Sequence, residues 1–209
     1  MLSVTGSEIK IGNRKIISDF NCLLDTGLNR IGGVNGSGKT TFLSCIAGVN
    51  RIKKGSVNFI EADKVSPFNL QKQGFYLSEH VDFYHFLTGL DVINLTKKYK
   101  KLNDHHPLDY YLSGFGISDY LYTEFGNMSL GTKKKFLLVS ALMTDMDVYI
   151  FDEPTNGLDS NSVNFFRTLL NFLSERKIII FSSHDEDFLK GLHITNYQID
   201  KNRIMKVEN

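Results

Sequence analysis

"GVNGSGKT", Gly33 to Thr40, is the stretch on which the reading of this chain turns. It meets every fixed position of G-x-x-x-x-G-K-[ST], and it stands between a strand-like run and a helical one. Glycines at 33, 36 and 38 let the backbone curl with its N–H groups inward, where a side chain would obstruct bound phosphates. A helix starting at Lys39 would add the positive end of its dipole. Lys39 would then reach the β- and γ-phosphates, and Thr40 would offer its hydroxyl to magnesium.

Outward from this loop the chain alternates between strands and helices. Residues 2–33 read as short strands broken by "TGSE", "GNRK" and "DTGLN", an antiparallel piece feeding a core strand. Beyond the loop, Phe42, Leu43, Ile46 and Ala47 fall at helical spacing, and Gly48 is a stop. "GSVNFI" and "GFYLS" read as strands, and residues from about 80 to 130 as helices and loops.

The pattern then returns. An apolar helix is expected over Lys134–Met143, followed by the strand "DVYIFD", Asp147–Asp152. "DSNSVNFFRTLLNFL" opens on capping residues and sets Val163, Phe166, Leu169, Leu170 and Leu173 on one helical face. "KIIIFSS", Lys177–Ser183, is the continuous apolar run of a strand buried on both faces. The tail "NYQIDKNRIMKVE" alternates and turns near Asp200–Asn202, as a hairpin does. The fold class is α/β, with a lobe inserted between the two stretches of alternation.

Two further clusters complement the loop. Asp152 and Glu153 emerge at the end of the apolar strand "VYIFD". An aspartate there can hold hydrated magnesium, and a glutamate just beyond can take a proton from an attacking water. His184, in "SSHDEDF", follows the other apolar strand and would sit near the γ-phosphate if the strands are neighbours. The remaining histidines, including His105 and His106, read as solvated.

Composition narrows the class. The 209 residues suit one domain, 42% of them are hydrophobic, and a formal net charge of +1 argues against nucleic acid as the main ligand. Cys22 and Cys45 match no ligand spacing and read as small core residues in a reducing compartment. The start has no basic-then-apolar segment, and the longest apolar runs, such as Phe136–Met143, are far too short to span a bilayer. A cytosolic protein is expected, reaching a membrane only through a partner.

These motifs, in this order and across nearly the whole chain, resemble the nucleotide-binding subunit of ATP-binding cassette (ABC) transporters. "GVNGSGKTT" is similar to the family's G-x-N-G-[AS]-G-K-[ST]-T loop, which adds Asn35, Ser37 and Thr41 to the expected phosphate contacts. "VYIFDEPTNGLDS" resembles its Walker B strand and D-loop, with Asp159 as the D-loop aspartate, and "SSHD" resembles its H-loop. The resemblance implies a RecA-like P-loop NTPase core at 1–79 and 132–209, with a helical subdomain at about 80–131. It also implies ATP and Mg2+ held between two protomers packed head to tail, as a homodimer or with a related subunit. Glu153 would be the catalytic base, and His184 would steady the γ-phosphate. Thr40, Asp152 and Glu79 would surround the metal, and an integral membrane permease would be the partner.

Three departures from the family pattern stand out. The usual Q-loop glutamine falls on Glu79, and the adenine-stacking aromatic falls near Ile11. The signature LSGGQ keeps only Ser129 and Gly131, in "MSLGT", Met128–Thr132. Similar S-x-G forms in peptide-antibiotic exporters point to export of a peptide or drug-like cargo; a small cofactor or lipid is the alternative. The rival functions are a soluble cassette acting on ribosomes or DNA, and a nucleotide-gated module with little hydrolysis. One cassette without a charged linker or coiled coil disfavours the first, and Glu153 disfavours the second. If Ser129 caps the following helix, Lys133–Lys135 lie near its positive end, where an anion from another molecule would relieve them.

Overall fold

The computed structural model describes residues 1–62, 64–80, 84–102 and 107–207. The chain opens with a hairpin, β1 (Leu2–Ile11) and β2 (Arg14–Leu24), and then enters β3 (Gly27–Gly32). Helix α1 (Lys39–Ile46) follows the glycine loop, and β4 (Ser56–Glu61) and β5 (Lys64–Pro67) extend the hairpin into a four-stranded antiparallel sheet ordered β2-β1-β4-β5. The short α2 (Leu70–Gln73) precedes β6 (Gly74–Leu77). Next come α3 (Gly89–Lys100), α4 (Leu108–Gly114) and two 3-10 turns, Ser118–Tyr120 and Phe125–Asn127.

The return half alternates as expected: α5 (Leu130–Leu142), β7 (Val148–Asp152), α6 (Ser160–Ser174), β8 (Ile178–Ser182), α7 (Glu186–Leu189), β9 (Ile194–Asp200) and β10 (Arg203–Val207). A second sheet runs β10-β9-β3-β8-β7-β6. All its pairings are parallel except β10 on β9, whose hairpin turns through Lys201 and Asn202 at φ +43° and +64°. Positive φ at both turn residues is what a tight hairpin with right-handed strand twist requires.

Two cores lie on opposite faces of this sheet. Val148, Ile150, Ile178 and Ile180 pack with Phe42, Leu43 and Ile46 of α1, and with the inward face of the antiparallel sheet at Leu2, Val4, Ile17 and Phe20. Tyr149, Phe151, Ile179 and Phe181 point the other way, toward Phe136 and Leu138 of α5 and Phe166 and Leu170 of α6. The alternation along β7 and β8 is the strand period of two, with both faces apolar. Cys22 and Cys45 are free and buried in the first core, and burial pushes both thiols up to about 11.

Two elements differ from the sequence expectation. Strand β1 runs unbroken from Leu2 to Ile11 through Thr5–Glu8, where the sequence reads as a break, because Thr5, Gly6 and Glu8 keep their pairing with Asn21, Phe20 and Ser18 of β2. Helix α5 starts at Leu130, four residues before Lys134, because the Ser129 hydroxyl accepts from Thr132 N at 3.1 Å and satisfies the first turn. The cap outweighs the unfavourable placement of three lysines near the helix start.

Candidate functional site

Parallel pairing brings the expected residues to one edge. Register matches Leu77 with Phe151, Asp152 with Ser182, and Phe181 with Arg30, so four strands end together. Beyond those ends lie Glu79, the pair Asp152–Glu153, His184 and the loop from Gly33. This is the carboxyl edge of a parallel sheet, where α/β folds bind ligands.

The loop curls as expected of a glycine-rich phosphate loop. Gly33, Gly36 and Gly38 have φ of +148°, +76° and +110°. A Cβ on Gly38 would lie 2.2 Å from Ile16 Cγ2, and one on Gly33 would lie 2.4 Å from Ser37 Oγ. Lys39 is buried and donates to the carbonyls of Gly33 at 3.0 Å and Val34 at 3.4 Å, so its ammonium lies over the loop. Asn35 and Thr40 are exposed, Thr41 is buried at the helix start, and Ser37 Oγ is buried without a protein partner. Ile11 is 57% exposed. With Arg14 and Ile16 it continues the cradle into a cleft of about 310 Å³ that also includes Gly36, Gly38, Lys39, Thr40 and Thr41.

The acidic pair is held by a residue that sequence reasoning missed. Ser182 Oγ donates to Asp152 Oδ1 at 2.6 Å and accepts from Glu153 N at 2.9 Å. Asp152 Oδ2 is buried with no protein partner. Glu153 adopts φ +45°, a left-handed backbone rare for a glutamate, of the kind stored at functional sites. Its Oε2 accepts from His184 N at 3.3 Å, and His184 Nε2 lies 3.6 Å from Oε1. Burial raises the Glu153 carboxyl above its ordinary value, against the lowering effect of His184 and Lys39. Glu79 Oε1 accepts from Asn156 Nδ2 at 3.3 Å.

The segment from Ser129 packs directly on the D-loop segment. A Cβ on Gly131 would lie 2.4 Å from the Gly157 carbonyl oxygen, so glycine is required for this approach. Asp159 caps α6 by accepting from Ser162 N at 2.9 Å, and Lys135 Nζ pairs with its Oδ2 at 2.6 Å. That pairing, ahead of the cap, lowers the Asp159 carboxyl to about 2. Lys134 is buried and donates to the Glu153 carbonyl at 2.9 Å. Two of the three lysines therefore already have anionic or carbonyl partners within the chain, so their position at the helix start is no longer a sign of an anion from outside. The signal for Ser182 was present in "IIIFSS", a polar residue closing a fully apolar strand beside an aspartate-ending one. Arg14, Asn156 and Lys134 carried no such signal.

A separate apolar groove of about 420 Å³ lies between α2, β6 and α3, lined in part by Leu70, Phe75, Val92, Leu95 and Tyr99, and contains none of these residues.

A glycine loop, an Asp–Glu pair and a histidine on adjoining parallel strand ends form the arrangement expected of an ATP-hydrolysing cassette. The family model described as "ABC transporter" matches residues 27–156, and the chain belongs to that family, whose ATP-binding subunits hydrolyse ATP. It is 32% identical over 185 residues to the ABC transporter ATP-binding protein NatA of Bacillus subtilis (strain 168), covering 85% of this chain and 75% of NatA. It is also 32% identical over 179 residues to the cytochrome c biogenesis ATP-binding export protein CcmA of Reclinomonas americana, covering 83% and 80% of the two chains. The dimeric structure of MJ0796, a bacterial ABC transporter cassette, superposes with a TM-score of 0.80 at 18% identity, covering both chains fully; that likeness is one of fold.

Proposed function

We propose that this chain is the ATP-hydrolysing subunit of an ABC transporter that powers a separate integral membrane permease, with Glu153 as the base of hydrolysis. The observation that carries the reading is the convergence of the Gly33–Thr41 loop, Asp152–Glu153 and His184 on one sheet edge.

The residues fit ATP with Mg2+. Asp152 Oδ2 and Ser37 Oγ are buried polar atoms without protein partners, and at Gly36 the loop borders open space, with nothing within 4 Å of where a Cβ would lie. The oxygen donors of Thr40, Asp152 and Glu79 suit a hard divalent cation. When bound, that ion would neutralise charge on the phosphates. Lys39 and the loop N–H groups hold the β- and γ-phosphates. Glu153 accepts the proton of the attacking water, and its raised carboxyl suits that task. His184 orients the Glu153 carboxylate and steadies the γ-phosphate.

Ser129 and Gly131 face the ATP of a second protomer in a head-to-tail dimer, homomeric or with a related subunit. The dimeric MJ0796 cassette supports this reading. Closure on ATP and opening after hydrolysis drive the permease. Its coupling segment docks near residues 79–91, of which 81–83 lie outside the described residues. Among the described residues no helix is long and apolar enough to cross a membrane. In this reading the chain sits at the cytoplasmic face of the membrane through its permease. We assign export of a peptide or drug-like cargo; the S-x-G signature supports the cargo class, and the export named for CcmA supports the direction. Nucleic acid has no role in this reading.

The test is recovery of the tagged chain from gently solubilised membranes. The expected companion is a multi-span membrane protein. Recovery with ribosomes instead overturns the transporter reading.

A further inference from the structure

Lys134 is used by none of the roles above, yet it is built into the site. Among the described residues, Lys39 and Lys134 are the buried lysines. Lys39 lies over the glycine loop, whereas Lys134 comes from the second turn of α5 and reaches the Glu153 carbonyl. Its ammonium donates to the carbonyl of Glu153, and Asn156 N approaches the same oxygen at 3.4 Å. The amide of Glu153 is held by Ser182 Oγ. Both peptide groups flanking the left-handed Glu153 are therefore fixed, one of them by a charged donor, and charged donors make the stronger hydrogen bonds.

Charge gives the lysine a second reason to be there. Glu79, Asp152 and Glu153 place three carboxylates at neighbouring strand ends. Glu79 and Lys134 line one cleft, with Lys133, Asn156 and Gly157. Burial pushes the Lys134 ammonium down, and Glu79, Glu153 and Asp152 hold it up, Glu79 most of the three. A buried ammonium is costly unless paired, and the half-buried Glu79 on the same cleft is the carboxylate that most favours its charge.

We propose that Lys134 is a positioning residue that holds the backbone of Glu153 and offsets the negative charge of Glu79, so that positions 79 and 134 act as a pair. The proposal rests on the reading of Glu153 as the base. A glutamine at 134 would leave Glu79, Asp152 and Glu153 without that ammonium until a divalent cation arrives with the nucleotide. A glutamine at both positions would keep the parent's net charge across Glu79, Lys134, Asp152 and Glu153.

A double-mutant cycle on the full chain tests this, reading ATPase kcat and KM. Lys134→Gln is expected to lower kcat about tenfold while KM for ATP stays within about twofold, because Lys134 does not line the nucleotide cleft. In a Glu79→Gln background the same change is expected to cost about threefold or less. Lys134→Arg, which keeps the charge, is expected to recover most of the lost rate. An equal loss in both backgrounds overturns the pairing, as does a Lys134→Arg variant as slow as Lys134→Gln. If Lys134→Gln does not fold alone but folds with Glu79→Gln, the pairing is supported; if neither folds, a packing role replaces it. These outcomes are separate from failure of the base assignment, which would show as full activity of Glu153→Gln with Lys134 intact.

Discussion

Ser182 on β8 gives its hydroxyl proton to Asp152 on β7 across 2.6 Å while receiving the N–H of Glu153 across 2.9 Å. One buried side chain thus fixes both residues of the acidic pair. It also leaves Asp152 Oδ2 free for a ligand.

Removing that hydroxyl strands a carboxylate oxygen and an amide in a buried place. Ser182→Ala is expected to cost about 1–3 kcal/mol of stability, the penalty for unsatisfied buried groups. Chemical denaturation provides the measure. Turnover should fall further than stability alone accounts for, because Glu153 loses its backbone anchor.

Glu153→Gln should keep ATP binding and lose turnover by at least about 100-fold, the scale of a missing general base. The variant is expected to accumulate as an ATP-bound dimer on size exclusion. Parent-level hydrolysis by the purified variant would remove Glu153 from its role.

The pH profile follows from the same residue. As the proposed base, Glu153 must be ionised to accept a proton, and burial raises its carboxyl. Activity is therefore expected to fail, as pH drops, at a higher pH than an ordinary glutamate would give. A kcat profile whose acid limb lies in the ordinary glutamate range would contradict this.

Gly131→Ala sets a methyl group 2.4 Å from the Gly157 carbonyl, a backbone atom that cannot step aside cheaply. A loss of about 1–3 kcal/mol is expected from the overpacking. ATPase should fall with it, since the displaced segments carry Ser129 and Asp159. Thermal melting and turnover measured together provide the check.

The Lys135–Asp159 pair predicts a pH-dependent stability term. Asp159 falls from an ordinary 3.8 to about 2 in the fold, so its stabilisation is present above 3.8 and is lost as pH drops toward 2. Asp159 remains more than half exposed, which limits the pair to at most about 1 kcal/mol. Lys135→Met should be less stable than the parent at neutral pH, and the gap should close below about pH 4. A gap that persists at pH 2 would assign the loss to packing.

Much of the fold was legible because its elements have clean periods. "KIIIFSS" and "VYIFD" are apolar on both faces, and only a parallel central strand needs that. The placement of the motif residues was legible: glycine where a Cβ would clash, lysine over the loop, and carboxylates at strand ends. What escaped was chosen by contacts between distant segments. Nothing local in "TKKK" tells that Lys134 turns inward to Glu153 while Lys135 turns to Asp159. The start of α5 was placed late because lysines weaken a first turn, a small effect that the Ser129 cap outweighs.

The two-faced burial of β7 and β8 also decides where reactivity can exist. Every position from Val148 to Phe151 and from Ile178 to Phe181 is claimed by one apolar core or the other. The one polar atom on those side chains, the Tyr149 hydroxyl, accepts from Met146 N at 3.0 Å, and Asp152 and Ser182 stand at the first level beyond the apolar walls, where each can satisfy the other. Reactive groups are thereby restricted to a rim a residue or two deep. Variation that tunes this enzyme has that rim and its loops to work with, and almost nothing beneath.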